Sequence, residues 1–226
     1  MNLLGFDTAT AATAACLVRS DGVVFEELPD PAELGRPPAH AAELMPKLAA
    51  VLERGGIDFA DVGALAVGVG PGTFTGLRIG VATARGLAAA TGAELRPVSS
   101  LAALAAGIAD DAALALLDAK RGELFGGLYT GGEEAWPPFV AEPEAVAERV
   151  RSAGLTPMAA GDGSVRFRGV LEAAGIRVEP EGSRAHVVRA LHVCRLAERV
   201  PAVAPGALLP EYLREPDAKP QAPDHR

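Results

Sequence analysis

The stretch Gly68-Val69-Gly70-Pro71-Gly72-Thr73-Phe74-Thr75-Gly76-Leu77-Arg78-Ile79-Gly80 constrains the fold more than any other part of the chain. The apolar run before it, Ala64-Leu65-Ala66-Val67, reads as a buried strand, and the alanine-rich segment after it, Val81 to Ala90, reads as a helix. A strand, a glycine-rich turn and a helix place backbone N–H groups at a helix N-terminus, where a phosphate or a partner's carboxylate could sit. Glycine lets the backbone turn tightly and lets another group approach, and Pro71 fixes one φ angle in the turn. Two known nucleotide loops fail on a required residue. A P-loop needs a lysine after its last glycine, and Gly76 is followed by Leu77. A dinucleotide fingerprint needs a third glycine where Thr73 stands. The loop alone leaves two readings open, an anion site or a tight strand-to-helix connection.

The helix that follows is apolar nearly all round, which predicts burial on more than one side. Gly76, Gly80 and Ala84 recur every four residues and share one face, while Leu77, Val81 and Leu87 fall on another. The small-residue face suits close approach of a second helix, from this chain or from another. Arg78 and Arg85 exclude a membrane span.

The 226 residues suffice for one large domain or two smaller lobes. A net charge of −8 argues against autonomous nucleic-acid binding, which needs basic surface to displace counterions. Aromatic residues make up only 4%, so bases or sugars find few stacking platforms. Cys16 and Cys194 form no metal-binding pattern and read as buried free thiols. The chain begins directly with a strand-like Leu3-Leu4-Gly5-Phe6, which predicts no signal peptide and a cytoplasmic protein.

Strands are predicted over 2–6, 12–18 and 22–27, then a proline-rich loop and a helix from Ala39 to Arg54 with Leu44, Leu48 and Leu52 on one stripe. Pro46 inside that helix predicts a kink or a shifted start. Further strands are expected over Asp61–Val69 and Leu95–Val98, and a helix capped by Ser99-Ser100 over Leu101–Ile108. Ala113–Asp118 and Glu123–Tyr129 read as a hairpin, and 142–153 and 184–199 as helices. The segment 155–182 is ambiguous, and the tail from Glu215 reads as disordered. Two mixed α/β lobes result, 1–100 and 101–214, followed by the tail 215–226.

Asp7, Thr8 and Thr10 lie in the turn after the first strand, where an acid with hydroxyls can hold Mg²⁺-bound water and hydrogen-bond phosphate oxygens; a plain polar turn is the alternative. With Gly70, Gly72 and Thr73 they form the candidate nucleotide or phosphate site. Asp118 ends a strand in a similar way. His40 and Glu43, one helical turn apart, could share a proton or pair across an interface. No second histidine follows at metalloprotease spacing, and no metal site or nucleophile elbow is present.

Together these residues resemble the TsaB family of bacterial tRNA threonylcarbamoyladenosine biosynthesis proteins, within the actin/hexokinase-like (ASKHA) ATPase superfold. The resemblance rests on Leu4-Gly5-Phe6-Asp7-Thr8-Ala9-Thr10, His40 through Leu44-Met45-Pro46, the Gly68–Gly80 run, Val98-Ser99-Ser100-Leu101, Asp118 to Phe125, and Pro210-Glu211-Tyr212-Leu213-Arg214, which occur in family order. It implies two actin-like lobes and a non-catalytic subunit in the modification of tRNAs that read A-starting codons. It further implies a TsaD-like transferase as heterodimer partner, a TsaE-like P-loop ATPase joining the complex, a homodimer when the chain is alone, and tRNA contact only through the complex. The helices around His40 to Leu52 and from Phe74 are the implied contact, which makes His40, Glu43, Leu44, Leu48, Phe74, Gly76, Leu77, Gly80 and Ala84 the candidate interface. No cofactor is implied beyond weak ATP or ADP binding. The chain departs from the family at His40-Ala41-Ala42-Glu43, where the usual order is His-Ser-Glu, and at Ala9, where strong phosphate binders of the superfold carry glycine. An independent ATPase or small-molecule kinase of the same superfold is the alternative reading.

Overall fold

Two five-stranded mixed sheets carry the chain, each built on the same plan. In the computed structural model, which describes residues 1–214, the first sheet opens with an antiparallel meander of β1 (Leu3–Asp7), β2 (Ala14–Val18) and β3 (Val24–Glu27). Strands β4 (Ala64–Gly70) and β5 (Glu94–Ser99) then add in parallel on the other side of β1, giving the order β3-β2-β1-β4-β5. The second sheet repeats this with β6 (Ala112–Lys120), β7 (Glu123–Thr130), β8 (Glu133–Ala141), β9 (Met158–Ala160) and β10 (Arg177–Val178), in the order β10-β9-β6-β7-β8. This duplicated arrangement is the two-lobed plan that the resemblance to the actin/hexokinase-like superfold implies. The expected disordered tail, 215–226, lies outside the described residues.

Three helical layers enclose the sheets. Strand side chains alternate between faces, so β1 sends Leu4 and Phe6 to one side and Leu3 to the other. Leu4 and Phe6 meet α1 (His40–Gly55) and α2 (Phe74–Thr91) through Leu44, Leu48, Val81 and Ala84. Leu3 joins a middle layer made by α3 (Ser100–Ala105) and α7 (Ala190–Ala197), which also packs on the second sheet through Leu101, Leu104, Ala115 and Leu117. The outer face of the second sheet, with Leu114 and Leu116, is covered by α4 (Pro143–Ser152) and α6 (Arg168–Ala173). Strands buried on both faces are continuously apolar for this reason.

The helix stops follow local chemistry. Gly56 and Gly92, both left-handed, end α1 and α2. Ser99 caps α3 by accepting from the Ala102 N–H. Helix α1 runs unbroken through Pro46, which lies on its exposed face. Strand β8 was not expected from the sequence; it carries Pro137 and Pro138 and is an edge strand, where a missing N–H is tolerated. The expected helix over 184–199 is shorter: a 3₁₀ turn at Arg184–His186 precedes α7. The ambiguous 155–182 resolves into β9, α5 (Asp162–Arg166), α6 and β10.

The second lobe does not extend to residue 214. After His186 the chain returns to the first sheet: α7 packs on β1 and β2, Val203 bridges Leu95, and Leu208 is buried among the α1–α2 core residues. The closing strap, Pro205 to Arg214, then passes the glycine loop, where the Glu211 N–H donates to Val69 O at 2.7 Å. Among the described residues no helix is long and apolar enough to cross a membrane.

Candidate functional site

Asp7 ends β1 but does not face an open cleft. Its side chain is buried, accepting from Ser100 Oγ at 2.5 Å and from the Ala9 N–H at 2.8 Å. Gly68 on β4 leaves the space that the carboxyl occupies; a Cβ there would collide with Oδ2. Burial pushes the Asp7 carboxyl above the usual carboxylate range, and the Ser100 and Ala9 bonds oppose that rise. Ser100 Oγ in turn accepts from the Gly70 N–H at 3.2 Å. Asp7 and Gly70, two of the expected phosphate ligands, are thereby used in joining β1, β4 and α3.

The start of α2 is closed in the same way. Thr8 Oγ1 donates to Gly76 O at 2.8 Å, and the Thr73 N–H donates to Ala9 O at 2.7 Å. A Cβ on Gly72 would lie 2.6 Å from that of Ala9, a Cβ on Gly76 would collide with Thr8 O, and one on Gly80 would lie 2.6 Å from Thr8 Oγ1. The glycines of the loop and helix therefore exist to let α2 lie directly on the turn after β1. This corrects the expectation that Gly76, Gly80 and Ala84 face a partner. Those three residues, with Leu77, Leu44 and Leu48, are buried inside the monomer. Of the candidate interface only Phe74 is exposed and Glu43 partly so.

Thr10, Gly72 and Thr73 do reach a cavity, of about 160 Å³, together with Ala9, Asp118 and Lys120. The two hairpin turns, after β1 and after β6, thus face each other across it. The β6–β7 turn is held by Asp118, which accepts from the Lys120 N–H at 2.8 Å, Lys120 Nζ at 2.9 Å and Arg166 at 2.7 Å. Those bonds hold Lys120 and Arg121 in left-handed conformations, at φ of 62° and 56°. Burial alone would raise the Asp118 carboxyl, but Lys120 and Arg166 outweigh it and its pKa falls below the ordinary value. An adjoining cleft of about 520 Å³ brings Asp30, Asp162 and Glu181 against the same Lys120 and Arg166. Lys120 and Arg166 are already paired with Asp118, while Arg36 also lines the smaller cavity. The smaller cavity also falls below the roughly 300 Å³ at which small-molecule sites begin.

His40 is buried at the start of α1. Thr13 Oγ1 donates to Glu43 at 2.9 Å, so it accepts from His40 Nδ1–H at 2.8 Å, which fixes the tautomer. Burial holds the His40 pKa below its usual value. Lys47 completes the group by donating to Thr13 O at 2.9 Å. The histidine and acid expected to pair do meet, through Thr13, whose part no spacing in the sequence signals. Outside this network, the solvent face of α1 presents Ala41, Ala42, Met45 and Ala49, and that of α2 presents Thr75, Ala82 and Gly86. Ala41, Ala42, Phe74, Thr75 and Ile79 line one groove between the two helices. Among the described residues no cluster of three or more His, Cys, Asp and Glu is placed to hold a metal ion. Cys16 and Cys194 are both buried and free.

Comparison with known proteins fits this geometry. Residues 35–160 match the family model for TsaD, tRNA N6-adenosine threonylcarbamoyltransferase. The tRNA threonylcarbamoyladenosine biosynthesis protein TsaB of Escherichia coli is 34% identical over 163 residues, covering 67% of this chain and 67% of that protein. An uncharacterized protein of Mycobacterium tuberculosis is 32% identical over 228 residues, covering 97% of this chain and 95% of its own. Among solved structures, YeaZ from Pseudomonas aeruginosa superposes with a TM-score of 0.77 at 28% identity, over 94% of this chain and 99% of that one. The duplicated sheets, the closed glycine loop and these relatives agree, and the chain belongs to the TsaB family of tRNA threonylcarbamoyladenosine biosynthesis proteins.

Proposed function

We propose that this chain acts in forming threonylcarbamoyladenosine in tRNA as a non-catalytic subunit, which docks a TsaD-like transferase on the exposed face of α1 and α2. The small, mostly uncharged side chains of that face carry the reading. Ala41, Ala42, Met45 and Ala49 on one helix and Thr75, Ala82 and Gly86 on the next are exposed, with Arg78 as the charged residue between Thr75 and Ala82. Depletion of charge at the centre is the compositional mark of a protein interface. Small side chains also allow a partner's helices to approach closely. The same face pairs two copies when the partner is absent, and a TsaE-like ATPase joins through the complex. Transfer chemistry belongs to the partner: the turn after β1 and the glycine loop, which would hold a substrate phosphate, here bond to each other, and Asp7 is spent on Ser100. With a net charge of −8, tRNA is reached through the complex, in the cytoplasm.

The test is a modification assay with the TsaD-like subunit of the same organism. The pure chain gives no threonylcarbamoyl transfer, the mixture does, and Ala82→Glu removes the stimulation by burying an unpaired charge at the contact. Robust transfer by the isolated chain, or ATP turnover by it alone, overturns this in favour of an independent enzyme of the superfold.

A further inference from the structure

Eight large apolar side chains are exposed among the described residues, and three of them, Phe74, Leu209 and Tyr212, lie where the closing strap meets the start of α2. They are 41%, 61% and 40% exposed. Phe74, Arg78 and Tyr212 are tied to one another. Arg78 lies over the Phe74 ring at 3.7 Å, the Phe74 and Tyr212 rings are 5.3 Å apart, and Arg78 Nε donates to the Tyr212 hydroxyl at 3.2 Å. Seven residues further along α2, Arg85 donates to Leu208 O at 2.6 Å. Leu209 sits on the strap between these two attachments. The strap is fixed at both ends, by buried Leu208 on one side and by Arg214 on the other, which donates to Ala119 O at 3.0 Å and pairs with Glu123.

We propose that Phe74, Arg78, Leu209 and Tyr212 anchor the same partner subunit, extending the α1–α2 docking face onto the strap. This rests on the reading of that face given above. Three observations support it. Phe74 lines the groove that Ala41, Ala42 and Ile79 share, so the cluster and the helical face are continuous. Tyrosine and arginine are the residue types that dominate binding energy in interfaces, with aromatic rings supplying large contact area. The stacking of Phe74, Arg78 and Tyr212 removes part of the side-chain freedom that binding would otherwise cost. The guanidinium of Arg78 uses Nε toward Tyr212 and leaves its outer N–H groups toward solvent, which suits a carboxylate. The matching surface is therefore an apolar helical face that carries an acidic side chain. Because Arg214 ties the strap to the β6–β7 turn, this anchor also links the partner's seat to the second sheet.

Affinity for the TsaD-like subunit of the same organism, measured by calorimetry, tests the proposal with the full chain. Leu209→Ser removes apolar surface without touching the core, and is expected to weaken binding about tenfold at an unchanged melting temperature. Phe74→Ser is expected to do the same or more. Charge reversal at Arg78→Glu should weaken binding and make it less sensitive to salt. If Leu209→Ser and Phe74→Ser stay within twofold of wild type while Ala82→Glu abolishes binding, the strap proposal is wrong and the helical face stands. If Ala82→Glu is also silent, the helical face falls and the strap with it. Binding of tRNA by the isolated chain, lost in Phe74→Ser, would reassign the rings to base stacking and overturn a protein partner.

Discussion

Ser100 Oγ donates to Asp7 Oδ2 across 2.5 Å, joining the end of the first strand to the first turn of α3, 93 residues later in the chain. Ser100 and Gly68 turn the Asp7 side chain inward, one by offering a hydrogen bond and the other by leaving room for the carboxyl. The acid expected beside a phosphate is held inside the fold by two small residues, neither of which is acidic or basic.

Truncating Ser100 therefore acts on stability. Ser100→Ala leaves a buried carboxyl short of a donor and the Gly70 N–H short of an acceptor, at a cost of about 1–3 kcal/mol for each unsatisfied group. Chemical denaturation of the isolated chain reads it directly. The pH dependence has a definite sign. The folded Asp7 pKa lies above the usual 3.8, so the folded state binds this proton more tightly than the unfolded chain. Its contribution is present at low pH and lost as pH rises through the raised folded value. Asp7→Asn, neutral at every pH, is expected to flatten that part of the stability profile. A profile unchanged by the substitution would show that Asp7 is not buried as described.

Gly80→Leu separates the two readings of the α2 small-residue face. The sequence pattern points to a partner seam, whereas a Cβ at Gly80 would lie 2.6 Å from Thr8 Oγ1. Overpacking of that kind costs about 1–3 kcal/mol or more. The melting temperature of the isolated chain should fall by several degrees, and Gly80→Ala should already lower it. An unchanged melting temperature with weakened heterodimer affinity would return this face to the interface.

ATP is expected to bind weakly or not at all. The Thr73 N–H at the start of α2 is taken by Ala9 O, and Lys120 and Arg166 are paired with Asp118. Calorimetry should give no low-micromolar Kd. Such an affinity, reduced in Lys120→Ala, would mean that the two facing turns open to admit a nucleotide.

The sequence made β1, β2 and β4 legible because they are buried and bounded by Asp7, Asp21-Gly22 and the glycine loop. The β6–β7 hairpin was legible through Asp118 and Gly122. Strand β8 was hidden by Trp136-Pro137-Pro138, since an edge strand needs only half its N–H groups. The helix expected over 184–199 was too long because apolar spacing continues through Val187-Val188, which fold as a non-helical approach to α7. At the site, the sequence singled out the right segments and misjudged which way they face. Gly76 and Gly80 announce a close approach, but spacing alone does not say whether the neighbour is another chain or Thr8. Ser100 carried only a capping signal, and its bond to Asp7 spans a distance that no local pattern encodes.

The return of α7 to the first sheet hangs on one ion pair. Glu26 on edge strand β3 accepts from Arg189 at 2.6 Å and from the Leu191 N–H at 3.1 Å, the latter within the first turn of α7. The Glu26 carboxyl is nearly buried, with 7% of its side chain exposed, whereas Arg189 keeps 32%. Removing the arginine leaves a desolvated carboxylate with a single N–H donor, while removing the acid leaves a cation that can still turn to water. Arg189→Ala should thus be the more damaging change, by about 2–4 kcal/mol given the partial exposure of the pair, and Glu26→Gln the milder, because its amide oxygen still accepts from Leu191. Denaturation of both variants and their double mutant measures the coupling. A double mutant no less stable than Glu26→Gln alone would confirm that the unpaired acid causes the loss. Equal, small effects of the two single changes would show that α7 is held by its apolar face, through Val193, Cys194 and Ala197, without help from the pair.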